Sequence, residues 1–330
     1  MVDLLILPDA EDTGEQLTAH TSRNVVNLSM NKQYALLTAA KDEEAFIGDV
    51  IASVLGQTVL PAAWVIIDDG SCDQTASIVE RMASEHPFIH LQSTTSRGGR
   101  NFGSKDKAIM AAYRLAESLE FGFVGVLDAD TTLERKDYYE SILEEFDRNP
   151  RLGLAGGFVY ERRRVAWEIR PDNSEDSVPG TGAIFRRSCF DQIGGYTPLC
   201  YGGSDWLVQL DAKMAGWDTM TLPDLHIFHY RPTSSAGGIW RGMFRRGLMD
   251  ASFGSDPVFE FFKCGRRALT RPLGSLVHFG GYLWWNLVGR KPLIDGEKVA
   301  FLRREQRAKL QKWAARFGTG RKWSRSPLSP

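Results

Sequence analysis

Apolar and polar positions follow two periods along the middle of the chain. Tyr34–Ala40 is an apolar run of strand length. The acidic Asp42-Glu43-Glu44 then opens a stretch in which Phe46, Ile47, Val50, Ile51, Val54 and Leu55 recur at helical spacing. Trp64–Ile67 is a second apolar run, ended by Asp68-Asp69-Gly70-Ser71. The spacing predicts a helix over Gln74–Ser84 and, after Pro87, a third strand over Phe88–Leu91. A loop rich in Gly, Ser and Arg, Ser93–Gly103, leads to a helix over Lys105–Ser118. A fourth strand, Phe123–Leu127, is stopped by Asp128-Ala129-Asp130. Strand and helix alternating at this spacing specify an α/β fold around a right-handed parallel sheet. Such sheets bind ligands beyond the carboxyl ends of their strands. Both acidic groups, Asp68-Asp69 and Asp128 with Asp130, fall there.

The 330 residues suit one α/β catalytic domain with an appendage. We divide them into a loosely ordered lead-in (1–33), a catalytic domain (34–235) and a basic helical extension (236–330). The catalytic domain comprises a nucleotide-binding half (34–130) and an acceptor half (131–235). Asp3, Asp9, Glu11, Asp12 and Glu15 stand where a signal peptide carries positive charge, so the lead-in does not read as one. The polar end, Thr319–Pro330, is expected to fray.

Charge sharpens the division. The formal net charge of −1 conceals 21 Lys and Arg against 35 Asp and Glu in residues 1–240, and 19 against 6 in residues 241–330. An acidic body with a basic end implies an anionic partner surface for that end. The cysteines (Cys72, Cys189, Cys200, Cys264) form no C-x-x-C pair, which excludes a zinc knuckle or dithiol centre and fits a reducing, cytoplasmic compartment.

Two carboxylates one residue apart after a buried strand suit a hard divalent cation, Mn²⁺ or Mg²⁺, whose shell a diphosphate would complete. Asp128 and Asp130 could equally do no more than end a strand, since Asp favours turns.

The block Leu36–Thr75 tips that balance. It contains Asp42-Glu43, Ser53 followed by Gln57-Thr58, and Asp68-Asp69-Gly70-Ser71-Cys72-Asp73. In these elements the chain resembles the family 2 glycosyltransferases, enzymes of the nucleotide-diphospho-sugar transferase (GT-A) fold. The resemblance runs from about Tyr34 to Arg231 and departs at Ala39-Ala40-Lys41. It implies a Rossmann-like, mostly parallel sheet flanked by helices, followed here by the aromatic-rich extension. Ala39, Lys41, Glu43 and Asp68 would hold the base and ribose of a sugar nucleotide. Asp69 would support that site or contact uracil. Asp128 would lie near ribose and diphosphate, and Asp130 would ligate the metal.

Inverting transfer also needs a base for the acceptor hydroxyl. The family places it in a Glu-Asp pair opening a helix. Here Gly202-Gly203-Ser204-Asp205-Trp206 aligns Asp205 with the base and puts Ser204 in place of the Glu. Gly180–Arg187 and Ile193–Tyr196 resemble the family's acceptor half. The alternative makes Ser204 an N-cap of a helix over Asp205–Ala215, with Asp205 present for the dipole. His229 resembles the imidazole ligand that often precedes Tyr-Arg in the family, or is simply packed, as His226 reads. Gly98–Lys105 fails the Walker A order, and no Gly-x-Gly-x-x-Gly follows the first strand. Arg97, Arg100 and Lys105 would contact the donor diphosphate, or are simply solvated loop charges.

In the extension, Leu273–Gly289 carries no formal charge but holds Phe279, Tyr282, Trp284 and Trp285. It falls short of a membrane span. With Arg266, Arg267, Arg271, Arg290 and Lys291 around it, interfacial attachment to anionic lipid is one reading and packing onto the catalytic domain the other. Residues Ile239–Phe262, with Arg241, Arg245 and Arg246, read as a flexible acceptor lid, and Phe301–Phe317 as an amphipathic basic helix. The expected activity is metal-dependent inverting transfer from a nucleotide-diphospho-sugar, UDP-linked by preference. The acceptor would be lipid-linked or a polysaccharide at the cytoplasmic membrane face. The rivals are a related nucleotidyltransferase and a non-catalytic module on nucleic acid. The first lacks its Gly-rich basic signature in Thr38–Glu44; the second would bring phosphate against clustered carboxylates.

Overall fold

The computed structural model describes residues 32–94, 102–163, 166–170, 173–175, 177–231 and 238–318. Most of the lead-in, the polar end, and Arg97 and Arg100 lie outside the described residues.

The first half is built from β1 (Tyr34–Ala40), α1 (Ile47–Leu55), β2 (Ala63–Asp68), α2 (Thr75–Glu85), β3 (Ile89–Ser93), α3 (Phe102–Ala116) and β4 (Phe123–Val126). Its strands lie in the order β3-β2-β1-β4, all parallel. The apolar runs alternate between the two faces of this sheet, as a strand's period of two demands. Tyr34, Leu36 and Trp64 join one core with Ile47, Val50 and Val54 of α1, while Ala35, Leu37 and Val65 join the other with Ile109 and Ala112 of α3. Burial on both faces explains why these strands read as continuous apolar runs.

The second half continues with β5 (Thr131–Leu133), α4 (Tyr138–Arg148), β6 (Leu152–Arg163), β7 (Ala166–Ile169), β8 (Ala183–Arg186), α5 (Arg187–Ile193), α6 (Ser204–Met214) and β9 (Asp218–His229). Here the sheet is mixed: β8 runs antiparallel between β4 and β6, β9 runs parallel to β6, and β5 pairs antiparallel with β9. That last pairing sets Thr131 opposite His229 and thereby returns β9 to the end of β4. No periodicity in the sequence announces it, because the two strands are almost a hundred residues apart.

The extension forms α7 (Ile239–Ser252), α8 (Pro257–Ala268), α9 (Pro272–Leu287) and α10 (Gly296–Gly318). Asp256 caps α8, accepting from the Val258 and Phe259 amides at 2.9 and 3.3 Å, with Pro257 in the first turn. The lid reading of Ile239–Phe262 is corrected. These residues form α7 and the start of α8, and α7 is locked onto α9 at Gly247, where an added Cβ would stand 1.9 Å from the His278 carbonyl oxygen. Three helices meet around a buried ionic group: Lys263 lies 2.7 Å from Asp250 and 2.6 Å from Glu260, and His278 lies 2.7 Å from Asp250. Helix α10 fastens the extension to α6 through Leu302, which packs with Leu207 and Leu210, and through a 2.7 Å Lys298–Asp211 ion pair.

The two readings of the aromatic segment divide along α9. Tyr282 and Trp285 are buried and pack with Tyr201 of the acceptor half. Leu273, Leu276, Leu283, Trp284 and Leu287, at helical spacing on the remaining surface, are exposed. Among the described residues no helix is long and apolar enough to cross a membrane.

Candidate active site

One hydroxyl aligns the acidic ends of the central strands. Thr38, fully buried on β1, donates to the Leu127 carbonyl at 2.9 Å and accepts from the Trp64 indole at 3.0 Å. It therefore ties β1 to the Trp64 side chain of β2 and to the exit of β4, just before Asp128.

At the end of β2, the Asp68 carboxylate turns onto its own loop. It accepts from the Ser71 hydroxyl and, at 3.1 Å, from the Ser71 amide, an arrangement that fixes the Asp-Asp-Gly-Ser turn. The Asp69 amide donates to the Ala40 carbonyl at 2.8 Å. The Lys41 ammonium donates to the Asp69 carbonyl at 2.6 Å. Ala39, Lys41, Asp68 and Asp69 thus gather at one sheet edge, with Ala39 paired to Ile67 across the strands. Glu43, also buried, faces elsewhere: its carboxylate is taken by Arg231.

Arg231 is the residue that sequence reasoning left unassigned. Its guanidinium joins Glu43 to Asp130, with Nε 2.8 Å from Asp130 Oδ2, and lies 5.3 Å over the Phe46 ring. The only signal was its position two residues after His229 in His-Tyr-Arg. On the other oxygen of Asp130, His229 Nε2 stands 3.2 Å away. Burial opposes ionisation of Asp130, but His229 and then Arg231 hold its carboxyl well below the usual range. For His229, burial works against the charge, yet the hydrogen bond and charge of Asp130 raise its pKa. Asp128 is paired with Lys105 at 2.6 Å, and its backbone amide donates to the Thr181 hydroxyl at 3.0 Å.

Asp128, Asp130 and His229 each offer a ligand atom, and these atoms lie within 4.8 Å of one another. Two hard oxygens and an imidazole nitrogen fit a divalent cation that completes its shell with phosphate oxygens. His229 would have to give up any proton to serve, so cation and proton compete for the site. His226 is engaged elsewhere, 2.6 Å from Glu134 and against the Tyr160 ring.

Helix α6 presents the remaining acid. Gly203 precedes it with φ of 90°, a left-handed conformation that glycine adopts without strain. Asp205 in the first turn accepts from the Trp206 amide at 2.9 Å, and Gly180 lies so near that an added Cβ would be 2.8 Å from the Asp205 Cβ. Ser204 is not the N-cap. Its hydroxyl donates instead to Asp106 of α3 at 2.7 Å, and the Leu199 amide approaches the second Asp106 oxygen at 3.3 Å. Where the family has a Glu beside its base, this chain has a serine tied to a buried carboxylate from another helix.

Burial, partly offset by Ser204 and Lys105, pushes the Asp106 carboxyl from 3.8 to about 6. The folded protein therefore holds a proton between these values that the unfolded chain has lost. Asp106 should make stability fall as pH rises through that window, by about 2–3 kcal/mol in all. Asp106→Asn is expected to flatten this slope. Chemical denaturation of both proteins at pH 4, 5, 6 and 7 checks it, and an unchanged slope would show that Asp106 is not the titrating group.

A sheet in the order β3-β2-β1-β4-β8, with acids at the ends of β2 and β4 and a third acid on the facing helix, is a GT-A-type arrangement. The sequence comparison is more specific: residues 36–204 match the model of glycosyl transferase family 2, and the chain belongs to that family of glycosyltransferases. It is 30% identical over 123 residues to a poly-β-1,6-N-acetyl-D-glucosamine synthase of Staphylococcus epidermidis, a match covering 37% of this chain and 27% of the relative. The corresponding synthase of Staphylococcus aureus strain COL is 27% identical over 132 residues, 40% of this chain and 30% of the relative. The chain thus spans less than a third of the length of these curated relatives. Among solved structures, the mannosyltransferase PcManGT of Pyrobaculum calidifontis, in complex with GDP-Man and Mn²⁺, superposes with a TM-score of 0.53 at 18% identity, covering 92% of this chain and 93% of that one. Residues 1–349 of Staphylococcus aureus TarS, in complex with UDP-GlcNAc, give 0.50 at 15% identity over 68% of this chain and 67% of that one.

Proposed function

We propose that this glycosyltransferase moves a sugar, with inversion, from a nucleotide-diphospho-sugar to a hydroxyl of a lipid-linked or polysaccharide acceptor. The observation that carries the reading is the convergence of Asp128, Asp130 and His229 from two strands onto one spot at the carboxyl edge of the sheet. Ala39, Lys41, Asp68 and Asp69 would form the nucleotide end of the donor site. Asp130 and His229 would hold Mn²⁺ or Mg²⁺, with Asp128 and Lys105 beside the diphosphate. A divalent cation there would neutralise the negative charge of the departing diphosphate. Arg231 shares Asp130 with His229 and anchors Glu43, which keeps the carboxylate oriented.

Asp205 would take the proton of the acceptor hydroxyl as its oxygen bonds to the anomeric carbon and the bond from that carbon to the diphosphate breaks. Asp205 lies in the first turn of α6, beside the turn that Gly203 opens. A UDP-linked donor is favoured by the UDP-GlcNAc bound in the TarS complex; GDP is the alternative that PcManGT raises. Cytoplasmic placement with peripheral contact to an anionic membrane rests on the unpaired cysteines and on the basic extension, whose α9 leaves a row of large apolar side chains uncovered.

Calorimetric titration of the full chain with UDP and with GDP, each in Mn²⁺, Mg²⁺ or EDTA, tests this. Metal-dependent binding of UDP in preference to GDP is expected. Binding of neither nucleotide would overturn the donor assignment.

A further inference from the structure

A cleft of about 600 Å³ lies between the loop that leads into Asp205 and the first two turns of α7, lined by Cys200, Tyr201, Trp240, Arg241, Phe244 and Arg245, with Leu248 at its end. Its walls are of two kinds. Trp240, Phe244 and Leu248 are spaced by four and form one apolar row along α7. Arg241 and Arg245, also spaced by four, form a cationic row beside it. Tyr201 stands four residues before Asp205 and is fixed by Trp285, edge to face at 5.6 Å, and by Arg290 at 3.2 Å. The end of α7 is held against the same loop, since Met249 and Phe253 would each lie within 2.9 Å of a Cβ on Gly203. The cleft therefore shares its loop with Asp205.

We propose that this cleft is the acceptor site and that it takes a lipid-linked sugar phosphate. The phosphate would lie on Arg241 and Arg245, the apolar chain along Trp240 and Phe244, and the sugar hydroxyl toward Asp205. This deepens the glycosyltransferase reading and rests on it. Three observations select a phosphate-bearing lipid over a neutral glycan. First, two guanidiniums one turn apart match the oxygens of a phosphate. Second, the aromatic faces of the cleft, Tyr201, Trp240 and Phe244, stand beside a cationic pair rather than beside the neutral amide groups that a glycan's hydroxyls would call for. Third, the apolar row does not stop at the cleft. Ile239 and Trp240 are 71% and 55% exposed at the start of α7, and α9, packed against α7, presents its own uncovered row. Residues 241–330 carry 19 Lys and Arg against 6 Asp and Glu, which suits a surface of lipid phosphates.

The test is calorimetric binding to the full chain and to the double variant Arg241→Gln/Arg245→Gln. The probes are farnesyl phosphate, farnesol, inorganic phosphate and chitotetraose, with Mn²⁺–UDP titrated into the same preparations. Farnesyl phosphate should bind the native chain at least about tenfold more tightly than either farnesol or inorganic phosphate. The double variant should lose about tenfold or more of that affinity, in line with hydrogen bonds to charged groups. Its UDP affinity should be unchanged. Inorganic phosphate binding as tightly as farnesyl phosphate would overturn the lipid part. Chitotetraose binding in place of farnesyl phosphate would overturn the proposal in favour of a glycan acceptor, and so would farnesyl phosphate binding unaltered by the double variant. Because the native chain decides the ligand preference alone, misfolding of the variant does not rescue the idea. Loss of UDP binding in the native chain would instead count against the donor site.

Discussion

Asp205→Asn is expected to lower kcat by about 10²–10⁴-fold, the range for removing a general base, with UDP affinity unchanged within about twofold. The substitution keeps the shape of the side chain. An asparagine oxygen can still accept the Trp206 amide that Asp205 holds at 2.9 Å, and Gly203 and Gly180 still frame the turn. What disappears is the capacity to accept a proton. The loss should fall on kcat at every pH with the donor KM kept, a split that a purely structural role in the first turn of α6 would not produce. Steady-state kinetics against pH, with native and variant enzyme on one donor, make the measurement. Near-native turnover in Asp205→Asn would confine Asp205 to the helix dipole and leave the base unassigned.

Asp130→Ala should abolish the metal dependence of nucleotide binding and reduce turnover by roughly 10³-fold or more, since Lewis-acid stabilisation supplies several kcal/mol. Asp130 is the hinge of the site because His229 and Arg231 occupy its two oxygens. Removing it leaves Asp128 and His229 without the carboxylate between them and frees one side of Arg231, which stays anchored on Glu43. The fold should survive, because β5 and β9 remain paired through backbone bonds from Thr131–His229 to Leu133–Ile227. The expected titration shows equal, weak UDP affinity in Mn²⁺ and in EDTA for the variant, with circular dichroism unchanged. Retained Mn²⁺ dependence would move the cation site elsewhere.

The parallel half of the molecule was legible because its signals are local. Three of its four strands, β1, β2 and β4, are apolar runs buried on both faces, each helix has one periodic face, and the acids follow within a residue or two of the strand ends. Helix ends differ from the sequence reading by one to five residues: α1 begins at Ile47 although the acidic run starts at Asp42, and α10 begins at Gly296 rather than Phe301. The residues that escaped depend on distant partners. Arg231 acquires meaning only when β9 returns beside β5, and Asp106 only when α3 packs against the turn before α6. The alternative N-cap role of Ser204 was reasonable from the turn chemistry, but a buried carboxylate competes for the same hydroxyl. The lid reading of Ile239–Phe262 rested on arginines alone and overlooked Gly247. A small residue inside a helix often marks where another backbone passes close by, and here it does.

The hydroxyl of Thr38 has a consequence for how this enzyme can vary. By bonding to both the Trp64 indole and the Leu127 carbonyl, it braces β1 against β2 and against the exit of β4 inside the core rather than in the loops. On the proposed reading, the two ends of a donor, base and diphosphate, would be measured against a fixed gauge. The turns beyond it are free to change residues and so exchange one nucleotide or sugar for another without resetting the span.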